Sequence, residues 1–436
     1  MKKFVLNSEL KIRKEQFGCI VLINQRRAVR FFNKFGYEII KSLKKPKTIE
    51  QVFNEINNNF DISKSSWIEI EEFINYLSKR DICREENSDV VSEAIFYFDE
   101  IQEDMFSKDY FYTPLGVEIE STNKCGRQCT YCSYFSSPFV DINLELQASD
   151  WKRILDDIVR SGVFYVRFTG GDPFTRKDDL HQMVKYADDL GLMVSIGSDL
   201  TVTDESDFEQ LSKLKNFVYL QTTLDGVNAE SCEKYRGKGN FSKVMKGLEL
   251  MQKYKVPFIV GTVLTKYNVN EIYDIGKLIS PFSPLGYSFA PLYIAGRGIG
   301  LTDDLPSNDD LYRANLQLRD LVRNKIIKPA DSAWNEITND IKEEEFETML
   351  DDQSFLTRTG ERLMRITPQG FCYVSVKLKR VDVENEKEWN AGSILEKSLI
   401  EIWQRSDKMN SWRSNESQEN FFGKTTDIRV LLSENI

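Results

Sequence analysis

Histidine is the scarcest functional residue in this 436-residue sequence, with His181 as its only example. Zinc sites built on several histidines and catalytic pairs that need a second imidazole are therefore excluded. We expect His181 itself to occupy an ordinary exposed helix position. The sequence also lacks the run of about 18 uncharged apolar residues that a membrane-spanning helix needs. Charged residues interrupt the N-terminal region before an apolar run is long enough for a signal sequence. We therefore expect a cytoplasmic protein.

Basic charge is also in deficit, because 58 Lys and Arg face 68 Asp and Glu and leave a formal net charge of -10. Nucleic-acid binders usually carry a basic field, so this balance disfavours a general phosphate-binding role. Only the first ninety or so residues are mildly basic. The composition is that of a globular chain without repeats, and its length suits two or three compact domains.

Three of the seven cysteines fall within one octapeptide, Cys125-Gly-Arg-Gln-Cys129-Thr-Tyr-Cys132. In a reducing compartment this clustering favours a metal site over structural disulfides. A closed zinc site needs four ligands, and no fourth Cys or His lies close by in sequence. Cysteine thiolates are the usual ligands of iron–sulfur clusters, and three of them leave one iron of a cubane open to a chelating molecule. Three buried core thiols are the alternative.

The region from about residue 115 repeats a strand, a turn and an amphipathic helix. Six such units predict an α/β fold with a parallel sheet, either a partial (β/α)6 TIM-like barrel or a doubly wound layer. The strand candidates are VEIE, FYVRFT, LMVSIG, FVYLQTT, FIVGTVLT and YSFAPLY. Short polar motifs follow successive strands, on the rim where barrel enzymes build their sites, so we favour the partial barrel.

With an aromatic residue before its last cysteine, the C-x3-C-x2-C loop resembles the signature of radical S-adenosylmethionine (SAM) enzymes. The resemblance implies one [4Fe-4S] cluster on Cys125, Cys129 and Cys132. It also implies that SAM binds the open iron and is cleaved reductively to a 5′-deoxyadenosyl radical.

Further motifs at the strand ends are similar to the family's SAM contacts. In the motif at the end of the second predicted strand, Gly170 and Gly171 are expected to let the backbone approach the cofactor. Asp172 stands where the family commonly has Glu, and Thr223 where it commonly has Ser. The cofactor-binding candidates are Tyr131, Thr169, Gly170, Gly171, Asp172, Ser198, Asp199, Thr223, Asp225, Arg236, Pro291 and Gly296.

Residues 1–88, with short strands followed by three helix patterns, resemble the RiPP recognition element. That element is a winged-helix-like α+β module that binds the leader of a ribosomally synthesised precursor peptide. An exposed strand edge beside a helix groove would accept a leader as an added strand. A scaffold role and DNA binding are the alternatives. Residues 89–114 are predicted to be a linker, and residues 115–330 the radical SAM partial barrel.

Residues 331–436 resemble the SPASM domain, which normally carries auxiliary iron–sulfur clusters. Ser375 stands where its first cysteine is expected, so we predict a small α+β cap without a second cluster. An auxiliary cluster could accept the electron that an oxidative crosslink releases. Without one, we expect either crosslinking or epimerisation of the peptide. Cys232 or Cys372 would then be the thiol that returns a hydrogen atom, and core packing is the alternative for both.

The sequence therefore predicts a radical SAM maturase of a precursor peptide. Its expected partners are that peptide and an external electron donor such as flavodoxin or ferredoxin, with neither nucleic acid nor membrane. A radical SAM enzyme that acts on a small metabolite is the competing prediction. An iron–sulfur winged-helix regulator is the non-enzymatic one.

Overall fold

The computed structural model describes residues 2–26, 28–60, 66–86, 88, 90–107, 110–330, 363–373 and 389–413. These residues form two compact units, the first within Met1–Tyr112 and the second from Thr113 onward. Across the described ranges, no helix combines the length and the apolarity that a membrane crossing requires.

The first unit contains two small sheets and three helices. Its elements are β1 (Lys3–Leu6), β2 (Leu10–Glu15), β3 (Gly18–Ile23), β4 (Ala28–Asn33), α1 (Lys34–Ser42), β5 (Lys47–Thr48), α2 (Ile49–Asn59), α3 (Ser66–Lys79), β6 (Cys83–Glu85) and β7 (Ile95–Tyr97). One sheet has the order β5-β1-β6, and the other has the order β4-β3-β2-β7.

Strand β7 lies in the stretch 89–114 that was expected to be a linker. It pairs in parallel with β2, with Ile95 opposite Lys11. A three-residue strand is too short to show the alternation by which strands are recognised in a sequence, so pattern alone does not reveal it.

The second unit is built on one mixed sheet in which seven neighbouring strands run parallel. The strands are β8 (Gly116–Thr122), β9 (Tyr165–Gly170), β10 (Met193–Gly197), β11 (Phe217–Thr223), β12 (Phe258–Leu264), β13 (Gly286–Pro291), β14 (Leu363–Ile366), β15 (Phe371–Tyr373) and β16 (Asn390–Ser393). Their order is β13-β12-β11-β10-β9-β8-β14-β15-β16, so the sheet is open, with β13 and β16 at its edges. The predicted α/β fold is confirmed.

Helices cover the outer face of this sheet because each presents an apolar stripe to it. In the first of them Trp151, Ile154 and Ile158 are buried in the same core as Val117 and Ile119 of β8. The helices are α4 (Ala148–Arg160), α5 (Lys177–Asp189), α6 (Glu205–Leu211), α7 (Ala229–Arg236), α8 (Asn240–Tyr254), α9 (Ile272–Ile279), α10 (Asn308–Arg323), α11 (Leu399–Arg405) and α12 (Asp407–Arg413).

The single histidine lies on α5, as expected. It is half-buried rather than exposed, because its Nε2 is 2.7 Å from Asp207 Oδ1. The described part of the tail completes the sheet, with β14 parallel to β8 and antiparallel to β15. Ser375 lies outside the described residues.

Candidate active site

The three cysteines lie on the loop that follows β8, and backbone contacts hold this loop on two sides. Thr130 N donates to Tyr235 O over 2.9 Å. Arg297 donates from N to Cys132 O over 3.0 Å and from Nε to Cys129 O over 2.8 Å. All three thiols are free and half-buried, so the loop is fixed while its sulfur atoms stay accessible.

A cavity of about 360 Å³ opens at the carboxyl ends of β9–β13, beside this loop. Its volume is within the range of cofactor sites. The wall includes the three cysteines and nine of the twelve predicted cofactor-binding residues. These nine are Tyr131, Thr169, Gly170, Gly171, Ser198, Asp199, Thr223, Arg236 and Pro291.

The donor set fits an iron–sulfur cluster better than a single ion. Among the described residues, no group of three or more His, Cys, Asp or Glu side chains is arranged to hold one metal ion. A cubane places each cysteine on a different iron, so thiols spread around one cavity suit it. Burial, followed by the charge of Asp199, raises the pKa of Cys125. A bound metal reverses this effect because it deprotonates a coordinating thiol.

The two glycines at the end of β9 pack directly against the segment before the cysteine loop, a role that the sequence did not predict. Gly170 has a φ of +126°, and a Cβ there would lie 2.2 Å from Thr122 O. A Cβ on Gly171 would lie 2.0 Å from Lys124 O. Gly171 N donates to Thr122 O over 2.7 Å, and Asp172 N donates to Lys124 O over 2.8 Å. The missing side chains therefore let β9 pack against the segment that leads into the cysteines.

Asp172 was predicted to bind the cofactor, but it is fully buried and does not line the cavity. The fully buried carboxylate accepts from Ser198 Oγ at 2.9 and 3.1 Å, from Phe174 N at 3.0 Å and from Asp199 N at 3.2 Å. Burial raises its pKa, and the nearby charge of Asp199 adds to the shift. The placement does not support a direct cofactor contact. Asp172 instead positions Ser198 and Asp199, which do line the cavity.

Asp225 likewise lies behind the cavity wall and orients two residues that form it. Arg236 Nε donates to Asp225 Oδ2 over 2.6 Å, and the Tyr131 hydroxyl donates to the same oxygen. Val263 N donates to Oδ1 over 2.8 Å. Burial opposes the charge on Arg236, but Asp225, Tyr131 and Cys129 together outweigh it and hold the pKa of the guanidinium well above its usual value. Arg236 therefore presents a fixed positive charge to the cavity.

The third predicted residue outside the wall is Gly296. It has a φ of +56°, and a Cβ there would lie 2.6 Å from the carbonyl oxygens of Cys132 and Ser133. Its role in the structure is close packing behind the cysteine loop.

Neither candidate hydrogen donor reaches the cavity. Cys232 and Cys372 are buried in the hydrophobic core of the second unit. The Cys232 thiol lies 3.5 Å from Asn240 Oδ1, and burial raises its pKa to about 11. Burial also raises the pKa of Cys372. A donor must approach the substrate carbon, so these positions agree with core packing instead.

Polar strand residues that no sequence motif indicated complete the wall. Arg167 on β9 donates to Gln221 Oε1 on β11, and its Nε lies 3.6 Å from Glu118 Oε2 on β8. The available signal was the arginine inside the apolar run FYVRFT, because charges are rare in parallel strands that are buried on both faces. Other unpredicted wall residues are Arg127, Ser133, Tyr134, Ser136, Gly197, Val263, Ala290, Leu292, Tyr293 and Arg297.

Comparison with known proteins agrees with this geometry. The Radical SAM superfamily model matches residues 119–279. The AdoMet-dependent heme synthase of Methanosarcina barkeri is 28% identical over 186 residues, 42% of this chain and 52% of that protein. The PqqA peptide cyclase of Bradyrhizobium diazoefficiens is 30% identical over 171 residues, 38% of this chain and 43% of that protein. The chain thus aligns with about half the length of these curated relatives.

The fold likeness extends over nearly the whole chain. The crystal structure of Streptococcus suis SuiB bound to precursor peptide SuiA matches with a TM-score of 0.67 and 17% identity, covering 95% of this chain and 91% of SuiB. The radical SAM family binds a [4Fe-4S] cluster and SAM, and the donor set described above fits both. Residues 119–279 therefore form a radical SAM domain that is similar to those of a heme synthase and of a peptide cyclase.

Proposed function

We propose that this chain is a radical SAM maturase that modifies a ribosomally synthesised precursor peptide. The main support is that three accessible cysteines and the ends of five parallel strands line one cavity. When bound there, the cluster and SAM supply a 5′-deoxyadenosyl radical. The chain's own residues bind and orient these groups and exclude water from them.

The three cysteines and the nine predicted wall residues each have a proposed partner on the cofactor. Cys125, Cys129 and Cys132 hold three of the four irons. The positive charge of Arg236, with the Thr223 hydroxyl, takes the methionyl carboxylate. The remaining assignments are the backbone of Thr169, Gly170 and Gly171 for the methionyl amino group, Ser198 and Asp199 for the ribose, and Tyr131 and Pro291 for the adenine side.

Anaerobic reconstitution tests this assignment. We expect the protein to bind iron and to release 5′-deoxyadenosine from SAM with dithionite as reductant. Cys125→Ala should abolish both, because one cluster ligand is lost. Cys19→Ala is the matched control, since Cys19 is buried in the first unit, and it should retain both. Preferential uptake of zinc, or full iron content after replacement of all three loop cysteines, would contradict the proposal.

For leader binding we propose the edge of β6 that faces away from β1, which pairs with no other strand among the described residues. Residues Phe4 and Leu6 of β1 lie opposite Glu85 and Cys83, while Glu86 N donates to Lys3 O. This antiparallel register turns the N–H groups of Cys83 and Glu85 away from β1, where an added strand would pair.

Helix α3 forms one side of this edge, because Cys83 Sγ lies 3.6 Å from Ile74 O. Its exposed face carries Glu69, Glu71 and Glu72. Charge at this helix therefore does not favour an acidic leader, although the module as a whole is basic. Backbone pairing is the stronger argument.

Proline substitution separates backbone pairing from side-chain effects. Glu85→Pro removes an outward N–H group, and edge strands tolerate proline. As the probe we use a fluorescent peptide with the sequence of a short open reading frame found beside this gene, and we expect Glu85→Pro to weaken its binding to the full-length protein. Glu85→Ala loses the same carboxylate but keeps the N–H group, so it should bind like the unaltered chain. Equal affinities for all three proteins would exclude this edge.

A radical SAM enzyme that acts on a small metabolite is the second candidate, favoured by the similarity to the heme synthase. It predicts SAM cleavage without affinity for any such peptide. The bond formed in a peptide is a separate question. Crosslinking, through a carbon–carbon or thioether bond, and epimerisation differ by mass and by deuterium uptake at an α-carbon, which only epimerisation in heavy water produces.

A further inference from the structure

A basic surface with an exposed aromatic ring lies beside the cysteine loop. We define it as the basic patch, formed by Lys234, Lys238, Lys266 and Tyr267, all of which are exposed. Within the described part of the chain, Lys234 and Lys238 have no carboxylate at ion-pair distance, while Lys266 Nζ lies 3.5 Å from Asp304 Oδ1. Such a surface stands out in a chain with a net charge of -10.

The backbone beneath the patch touches the cysteine loop. Cys129 Sγ lies 4.0 Å from Arg236 O. The Arg127 guanidinium donates from Nη1 to Gly237 O over 3.2 Å and to Lys238 O over 3.0 Å. Only the backbone of residues 236–238 would therefore lie between a molecule on the patch and Cys129, a proposed cluster ligand.

Packed aromatic rings connect the basic patch with the cysteine loop. Tyr131, between two cluster cysteines, has its ring centroid 5.8 Å from that of Tyr235, which lies 6.5 Å from that of Tyr267. Tyr267 is half exposed, and Lys234 Nζ lies 2.8 Å from its centroid. Electron tunnelling weakens exponentially with distance and is favoured by continuous packing. The rings thus provide a short, packed route from the surface to the loop.

We propose that the basic patch is the docking surface for an acidic one-electron carrier protein that reduces the cluster. This inference rests on the proposed function. In the step, one electron leaves the carrier and enters the cluster, and no bond is made or broken. Unpaired lysines attract an acidic partner and accelerate its encounter, an effect that salt screens.

Charge reversal tests the patch. The test variant is Lys234→Glu/Lys238→Glu/Lys266→Glu, and the matched control is Lys185→Glu/Lys213→Glu/Lys253→Glu, three exposed lysines elsewhere on the second unit. With flavodoxin hydroquinone as reductant, the test variant should form 5′-deoxyadenosine at least ~10-fold more slowly at low salt. Its Kd for flavodoxin, measured by isothermal titration, should rise by a similar factor. With dithionite, all three proteins should react equally.

Several outcomes would overturn the inference. One is that the test variant and the control lose flavodoxin-driven turnover equally, or not at all. Another is that the test variant is also slow with dithionite, or that it loses precursor-peptide binding instead of flavodoxin binding. If the unaltered protein cleaves no SAM with dithionite, the proposed function fails. The titration still decides whether flavodoxin binds the patch.

Discussion

Gly171→Ala should detach the end of β9 from the cysteine loop. The new Cβ would lie 2.0 Å from Lys124 O and 2.5 Å from the carbon of the same carbonyl. Both atoms are backbone, so no side-chain rotation relieves the overlap. The two segments must therefore move apart.

The cost follows from the contacts that this movement breaks. Attractive contacts between heavy atoms need roughly 3.5–4 Å, so the shift must exceed about an ångström. It would break the hydrogen bonds from Gly171 N to Thr122 O and from Asp172 N to Lys124 O. Each broken buried hydrogen bond costs about 1–3 kcal/mol, so the two together predict a loss of about 2–6 kcal/mol in the free energy of unfolding.

Two measurements report the effect: urea unfolding of the metal-free protein, and iron bound per chain after anaerobic reconstitution. We expect Gly171→Ala to unfold at lower urea and to retain less iron, because the cysteine loop loses its support. Gly261→Ala is the matched control. It changes a glycine of β12 in the same sheet, where the nearest atom to a new Cβ is Gln221 Nε2 at 3.5 Å.

A different result would refute this explanation of the glycines. If Gly171→Ala keeps the stability and iron content of Gly261→Ala and weakens only SAM binding, the glycine serves the cofactor alone.

Three further predictions concern buried polar groups. Asp225→Ala should destabilise the metal-free protein by about 3–5 kcal/mol in urea unfolding, because it strands the buried Arg236 guanidinium, and Asp225→Asn should cost less. The Cys232 thiol, with its pKa of about 11, should resist alkylation by iodoacetamide near neutral pH in native protein followed by mass spectrometry; rapid labelling would contradict its burial. Burial lowers the pKa of Lys11 to about 8 from 10.5, so the unfolded chain binds more protons between these values and stability should rise with pH across that window. Lys11→Met should flatten this rise, and an unchanged slope would rule out Lys11 as its source.

The site could be located from the sequence because its residues follow strands of a repeating unit. Strand ends of a parallel sheet meet on one rim, so the motifs at Thr169, Ser198 and Thr223 had to lie together. The direction of each side chain could not be predicted in the same way. Asp172 turns inward because Ser198 and two backbone N–H groups offer hydrogen bonds there, and those donors come from another strand and a following turn.

The same limit explains the missed roles of the glycines and of β7. What Gly171 avoids is a carbonyl of the preceding crossover, far from it in sequence. Likewise, β7 is a strand only because β2 lies beside it. Local patterns do not contain such partners.

The pairing of β14 with β8 affects which fragments of this protein can be expressed in soluble form. A fragment ending at residue 330 would retain the whole matched family region but would leave one side of β8 uncovered. Bare backbone donors and acceptors on that strand would invite association with a second molecule. Truncation would also remove Arg365, whose fully buried guanidinium lies 3.5 Å from Glu120. Insolubility of such a fragment would therefore reflect its cut edge and say nothing about its chemistry.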